Sequence, residues 1–411
     1  MRRPRLGATM VLLAALAVAA PAAVPAAWAQ SPIRIGVLND MNGPFADLSG
    51  IGSVIAARMA AEDFAKEAGP GAPKVEILAG DHQNKADVGA AIARQWVDVD
   101  HVSAIVDVPN SAVALAVNQV MREKDRTFLA SSSATSDLTG PQCAPTTVQW
   151  VFDTWALANG TARALIAQGG RKWFFITADY AFGQALERDA SALVRAAGGA
   201  VLGDARHPLN TPDLSSFLLS AQASGADVIG LANAATDTSN AVKQAAEFGI
   251  GRSGKQRLAG LLVFITDVDA MGLETAQGLL LTEAFYWDLN DKTRAWSHRF
   301  AERAGGGRMP TMNHAGVYSS VLAWLRAARA AGYPDSGSKI VAQMTKAPID
   351  DPLFGPTTVR KDGRAVHAMY LFEVKKPSES KGRWDYYKLS ATIQPADAFR
   401  PMADGGCPLV K

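Results

Sequence analysis

Residues 127–138 read TFLASSSATSDL, and the reading of this stretch decides the fold. Residues 127–130 end a buried strand. Ser131, Ser132 and Ser133 then crowd small hydroxyls into a loop. Residues 134–138 open a short helical turn, with Thr135 or Ser136 as its cap. A strand that runs through a Ser/Thr loop into a helix start leaves backbone N–H groups free. Those donors favour an anion, usually a carboxylate or a phosphate. A plain capped turn is the rival for this stretch in isolation, and the surrounding chain must decide.

Upstream, Ile33, Ile35 and Val37 alternate as a first strand would. A loop follows to residue 49, then a helix with Val54, Ala57, Ala61 and Phe64 on one face. Strands at 75–79 and 104–106 alternate with helices at 84–99 and 111–121, and residues 127–130 make the fourth strand. Short apolar strands alternating with helices mean a parallel sheet covered on both faces. Residues 146–151 are strand-like and lead into a helix at 153–167. A second alternating series starts at Trp173, and its last strand is expected at 261–265. Two such series imply two α/β lobes rather than one oversized sheet. Residues 279–287 (LLLTEAFYW) read as a long apolar strand returning the chain to the first lobe. Helices at 293–303, 313–331 and 339–346 follow. The tail over 356–389 reads as β, with Asp362-Gly363 at a hairpin turn. No low-complexity linker is present, so short crossing strands join the lobes and serve as a hinge.

Residues 1–29 read as an export leader. Arg2, Arg3 and Arg5 precede an apolar core, and Ala27-Trp28-Ala29 fits cleavage before Gln30. Pro21 and Pro25 break the apolar run, which argues against a retained membrane span. No cysteine follows the cleavage site, which argues against a lipoprotein. The mature chain is expected free in a bacterial periplasm. The whole 411-residue chain carries 41 basic and 39 acidic residues. This balance gives no electrostatic reason to expect nucleic acid or a membrane surface as partner. The length supplies two domains with ordinary cores. Cys143 and Cys407 are the only cysteines. In an oxidising compartment a lone pair is expected to bridge, with two free thiols as the rival.

In open parallel sheets, ligands sit beyond the carboxyl ends of the strands. In the first lobe those loops are 40–47, with Asn42 and Phe45; 108–111, with Asn110 and Ser111; and 131–135, with Ser132, Ser133, Ala134 and Thr135. In the second they are 178–183, with Asp179, Tyr180 and Phe182; 233–237, with Asn233 and Asp237; and 266–269, with Thr266, Asp267 and Asp269. The first set offers hydroxyls, amides and N–H groups that suit an anionic head. The second offers aromatics and acids that suit an apolar body or a cationic group. Structural rivals stand beside these readings. Phe45 and Phe182 could be lids on their own lobes, Asp179 a helix cap, Asp267 a turn cap and Trp287 hinge packing. His82, His101, His298, His314 and His367 show no metal-ligand spacing, and neither metal nor cofactor is expected. No G-x-S-x-G elbow, H-E-x-x-H pair or phosphate loop is present, so an enzyme is not expected.

The leader, the opening IRIGVLNDMNGPFADL (33–48), the loop SSSATSDLT (131–139) and the segment DYAFGQALE (179–187) resemble the periplasmic solute-binding proteins of ABC importers. Within these, the chain looks like the branched-chain amino acid group, the type I periplasmic binding fold. The resemblance implies two Rossmann-like lobes, a three-crossing hinge and a ligand in the interlobe cleft. Residues 30–148 and 286–350 would form the first lobe, residues 149–285 and 351–390 the second, and residues 391–411 a tail near the hinge. It further implies that residues 132–135, with Ser111, hold a ligand carboxylate. An aromatic at Phe182, with Tyr180 nearby, would pack on the ligand, and an acid at Asp267 would hold an amino group. FITDVDAMG (264–272) departs from the amino-acid-binding pattern, and the sequence looks more like members that bind aromatic or other organic acids. The expected function is therefore capture of a small carboxylate-bearing solute by hinge closure and delivery to an inner-membrane ABC permease. The alternatives are a branched-chain or other amino acid-binding protein of the same transporter family, or a solute sensor. The protein is expected to be monomeric.

Overall fold

The computed structural model describes Met1, residues 32–251 and residues 256–410. Apart from Met1, the expected leader lies outside the described residues. The first sheet is built from β1 (Ile33–Asn39), β2 (Val75–Asp81), β3 (Val102–Asp107), β4 (Thr127–Ala130) and β5 (Thr147–Gln149). All are parallel, in the order β2-β1-β3-β4-β5. Between them run α1 (Gly50–Ala68), α2 (Ala86–Asp98) and α3 (Ser111–Glu123). The short strands are apolar because helices cover both faces. Glycines on neighbouring strands make room for one large ring: a Cβ at Gly36 or Gly80 would lie 2.3 or 2.8 Å from the Trp96 indole of α2. Substitution at either would push that helix off the sheet.

The chain crosses after β5 into α4 (Thr154–Ala167), whose first turn is capped by Asp153 accepting from the Ala156 N–H at 2.8 Å. The second sheet holds β6 (Lys172–Ala178), β7 (Ala200–His207), β8 (Val228–Ala232) and β9 (Arg257–Gly260), parallel in the order β7-β6-β8-β9. Its helices are α5 (Ala181–Ala196), α6 (Ser215–Ala223) and α7 (Thr236–Glu247).

Two strand expectations are corrected here. The last strand of the second series is β9, four residues before the expected 261–265. At Gly260 the chain turns so tightly that a Cβ there would lie 2.5 Å from Val263. Residues 261–264 leave the sheet, and Ile265 already begins α8 (Ile265–Met271). The apolar run reflects burial rather than strand pairing: Leu261 and Val263 are fully buried in the core. A short α9 (Leu273–Ala276) leads to β10 (Leu280–Glu283). The expected strand over 279–287 is thus only its first half. Its aromatic second half is an anchor: Phe285 meets the Trp296 ring edge-on, and Trp287 Nε1 donates to Trp384 O at 2.7 Å.

Next come α10 (Asp291–Ala304), α11 (Met312–Ala330) and α12 (Gly337–Met344). They return to the first sheet. α11 packs along α1, and Trp324 Nε1 on α11 donates to Thr127 Oγ1 on β4 at 2.9 Å. The chain then forms β11 (Ile349–Asp351), β12 (Gly355–Val359) and β13 (Ala365–Val366), antiparallel, with Gly363 at φ 83° in the expected hairpin turn. β14 (Met369–Val374) pairs antiparallel with both β10 and β15 (Tyr387–Ile393). Fully buried Arg364 sits where the hairpin meets the first crossing, donating to Phe152 O at 2.9 Å. A Cys143–Cys407 disulfide ties the loop before β5 to the tail, with Cα atoms 5.7 Å apart. Arg400 Nη2 of the tail also donates to Ser136 O at 3.0 Å. Among the described residues no helix is long and apolar enough to cross a membrane, and no acid, histidine and cysteine cluster could hold a metal.

Candidate functional site

Each sheet has one switch point, between β1 and β3 in the first and between β6 and β8 in the second. Ligands bind at such points because the diverging loops leave a crevice. Here the two crevices face each other. From the first lobe, Phe45 and Leu48 after β1, Pro109 after β3, and Ser132 and Ala134 after β4 line a common pocket. From the second come Tyr180 and Phe182 after β6, Ala234 after β8, and Leu262 and Phe264 after β9. Asn313, in the first turn of α11, completes the lining. Facing side chains nearly fill the space, leaving a cavity of about 20 Å³. That is room for about one water and for no larger solute. A larger cavity of about 670 Å³ lies at the opposite, amino ends of β9 and β10, away from both switch points.

The backbone is strained on this rim. Asp107 and Val108 have φ of 88° and 58°, and Ala235 has φ of 55°. A β-branched residue in the left-handed region persists only where its surroundings over-determine it. For Val108 they do: its N–H donates to Leu38 O at 2.9 Å, and its carbonyl accepts from Ser133 Oγ at 2.5 Å.

The serine loop can be followed donor by donor. Ser131 N–H donates to Leu129 O and Ser132 N–H to Asp107 O. Thr135 N–H donates to Ser111 Oγ at 3.2 Å, and Ser136 N–H to Thr154 Oγ1 at 3.1 Å. The N–H groups of Ser133 and Ala134 find no partner among the described residues. Thr135 caps the following 3-10 turn by accepting from Asp137 N–H at 3.4 Å. Ser132 Oγ donates to the buried carboxylate of Asp107, which also accepts from Asn39 Nδ2 at 3.0 Å and Ser49 Oγ at 2.5 Å. Burial pushes Asp107 up from the ordinary carboxylate range, and these donors offset only part of the rise.

Of the sequence-derived residues, the fold brings Phe45, Ser132, Ala134, Tyr180 and Phe182 to the pocket lining. Tyr180 and Phe182 pack with ring centroids 5.9 Å apart. Ser111, Ser133 and Thr135 are outside the lining and hold the loop through their hydrogen bonds. The other polar candidates are engaged elsewhere. Asn42 is exposed and donates to Asp81 at 3.2 Å. Asn110 caps α3, accepting from Ala112 and Val113 N–H at 3.0 and 3.3 Å. Asn233 accepts from Thr238 Oγ1 at 2.8 Å. Asp179 is exposed, taking a hydrogen bond from Gln184 and pairing with Arg206 at 3.7 Å.

Asp237 accepts from Asn210 and Thr211 N–H at 3.0 and 2.8 Å, which tethers the loop after β7. Asp267 accepts from Phe264 N–H at 2.8 Å and so caps α8; burial pushes it up to about 7. Asp269 pairs with Arg383 at 2.9 Å. Thr266 is buried, outside the lining, and its hydroxyl has no partner among the described residues.

Sequence reasoning missed Asn313. It is fully buried, yet among the described residues neither its amide nitrogen nor its oxygen has a hydrogen-bond partner. Such a group is costly unless something meets it. Its neighbour His314 is fixed and neutral: Nδ1 accepts from Thr311 N–H at 3.1 Å, and Nε2 donates to Ser49 O at 2.9 Å. Burial holds that imidazole down at about 3.

Residues 32–383 match the family model described as periplasmic binding protein. A crystal structure of a periplasmic binding protein from Burkholderia mallei is 46% identical, with a TM-score of 0.87 over 93% of this chain and all of that one. A branched chain amino acid ABC transporter periplasmic ligand-binding protein from Burkholderia xenovorans LB400 is 36% identical, with a TM-score of 0.81 over 92% of this chain and all of that one. The Leu/Ile/Val-binding protein homolog 6 of Brucella abortus (strain 2308) is 26% identical over 90% of this chain and 94% of its own length. The facing switch points and this match over nearly the whole chain lead to one conclusion: the chain belongs to the periplasmic binding proteins, as an ABC-type solute-binding protein of the branched-chain amino acid family.

Proposed function

We propose that this protein captures a small carboxylate-bearing solute with an aromatic or other apolar body and delivers it to an inner-membrane ABC permease. In this reading residues 30–148 and 286–350 move as one lobe and residues 149–285 and 351–390 as the other. The tail, residues 391–411, packs near the hinge. Closure about the crossings encloses the solute. The observation that carries the reading is the pairing of an apolar pocket with open polar groups on two lining residues, the Ala134 N–H and the Asn313 amide, and beside them the unpartnered N–H of Ser133 in the same loop. Two N–H donors at a strand-to-turn junction suit a carboxylate. The rings of Tyr180, Phe182, Phe45 and Phe264 suit an apolar body.

Against an amino acid stands the fate of the second-lobe acids. A buried ammonium needs a carboxylate partner. Asp179, Asp237, Asp267 and Asp269 all serve other groups, and none lines the pocket. The test is a thermal-shift screen of aromatic acids, short aliphatic acids, their amides and amino acids. A ligand at 100 times its dissociation constant adds about 2.7 kcal/mol of stability. Acids should shift the midpoint and amino acids should not. A shift confined to amino acids would overturn the reading.

A further inference from the structure

Ser132 lines the pocket, but its hydrogen is committed to Asp107 behind it. With that hydrogen engaged, only the lone pairs of its oxygen remain for any group in the pocket. A carboxylate arriving there would meet an oxygen with nothing to give, and the carboxylate of Asp107 one hydroxyl further on. Turning the Ser132 hydrogen to the ligand would strip a fully buried Asp107 oxygen of its donor. Either arrangement is unfavourable while Asp107 is ionised.

We propose that Asp107 takes up one proton from solvent as an acid binds, and so acts as a positioning residue through Ser132. This rests on the acid-ligand reading above. The protonated Asp107 Oδ1 then donates to Ser132 Oγ, and the Ser132 hydrogen turns to the ligand carboxylate. One proton enters, no charge is stranded, and a serine that could only accept becomes a donor.

The surroundings of Asp107 allow this. From β1 it faces Asn39, from the start of α1 Ser49 and Ser53, and from the loop after β4 Ser132. From α11, His314 reaches Ser49 O but is neutral. From the start of α3, Asn110 caps its own helix and Ser111 serves Thr135. The nearby carboxylate of Asp40 is turned away, accepting from Gly43 and Phe45 N–H and Asn84 Nδ2. Among the described residues no cation pairs with Asp107. Its protonation is therefore set by burial, by these donors and by whatever charge sits beyond Ser132.

The sign follows. A bound carboxylate raises the proton affinity of Asp107 further, so acid affinity is highest at low pH. It falls as pH rises between the free and the bound values, by up to tenfold per pH unit, and is flat outside that window. The probes are benzoate, 4-methylpentanoate and the neutral benzamide, titrated calorimetrically from pH 5 to 9 in buffers of different ionisation enthalpy. Acids that bind the wild type should take up protons, and benzamide should not. In Asp107→Asn the amide donates permanently to Ser132 Oγ, so acid binding should persist with no proton uptake and a flat pH profile. The wild-type proton count needs no variant, so the test survives if Asp107→Asn fails to fold. Acid binding with no proton uptake anywhere in this range would overturn the inference and leave the acid reading standing. Binding of benzamide with neither acid bound would overturn both.

Discussion

Replacing Asp267 with asparagine separates the two uses this carboxylate could have. Asp267 is buried, caps α8 through the Phe264 N–H at 2.8 Å, and is pushed from 3.8 up to about 7 by loss of hydration. The negative charge of Asp47 adds to the rise, and the Phe264 N–H offsets part of it. In the unfolded chain Asp267 ionises near its ordinary value. Its contribution to stability is therefore fully retained below pH 4 and lost as pH rises to about 7. The ceiling is about three pH units at 1.36 kcal/mol each, or about 4 kcal/mol. Asparagine keeps an oxygen for the Phe264 N–H and never ionises. Asp267→Asn should thus match the wild type near pH 4, gain by as much as 1.4 kcal/mol per pH unit above it, and level off above pH 7. Urea midpoints of both proteins from pH 4 to 9 measure this. Acid affinity should not change, because Asp267 does not line the pocket. A wild type more stable than the variant at pH 8, or a difference that does not vary with pH, would refute the reasoning.

Three other outcomes are expected. Asn313→Ala should weaken acid binding by about 0.5–1.5 kcal/mol, the net value of one hydrogen bond, with ligand-free stability unchanged or raised; calorimetry and thermal melts read the two. Ser111→Ala orphans the buried Thr135 N–H and should cost about 1–3 kcal/mol of stability even without ligand, measurable by urea unfolding. The denatured intact protein should be two hydrogens lighter than its reduced form. Reduction should lower stability by something on the order of 5 kcal/mol in the chain-entropy model, given the 264-residue separation.

Most of the fold was legible because parallel strands buried on both faces read as short apolar runs with helices between them. The same signal failed where burial had another cause. Residues 261–264 and 284–287 are as apolar as strands, yet the first turn out of the sheet into the core and the pocket lining, and the second anchor a crossing. The serine loop and the rings of Phe45, Tyr180 and Phe182 were legible from their places after strands. The acids were harder to read. Asp237 and Asp267 sit at the expected loops, but each meets nearby backbone N–H groups, which sequence spacing does not reveal. Asn313 enters from a helix nearly two hundred residues after the serine loop. The one available signal was an amide in the first turn of a helix otherwise buried almost throughout.

The disulfide between Cys143 and Cys407 makes residues 143–407 a covalent ring. The second sheet, the strands and helices that cross between the sheets, and α10 to α12 all lie on it. A protease that cuts any one peptide bond in that ring opens it into a linear chain without shedding a fragment. Two cuts are needed before any piece can leave. A nicked molecule therefore keeps its mass and its two halves until the sulfur bridge is reduced, so gels run with and without reductant would give different counts of damaged protein.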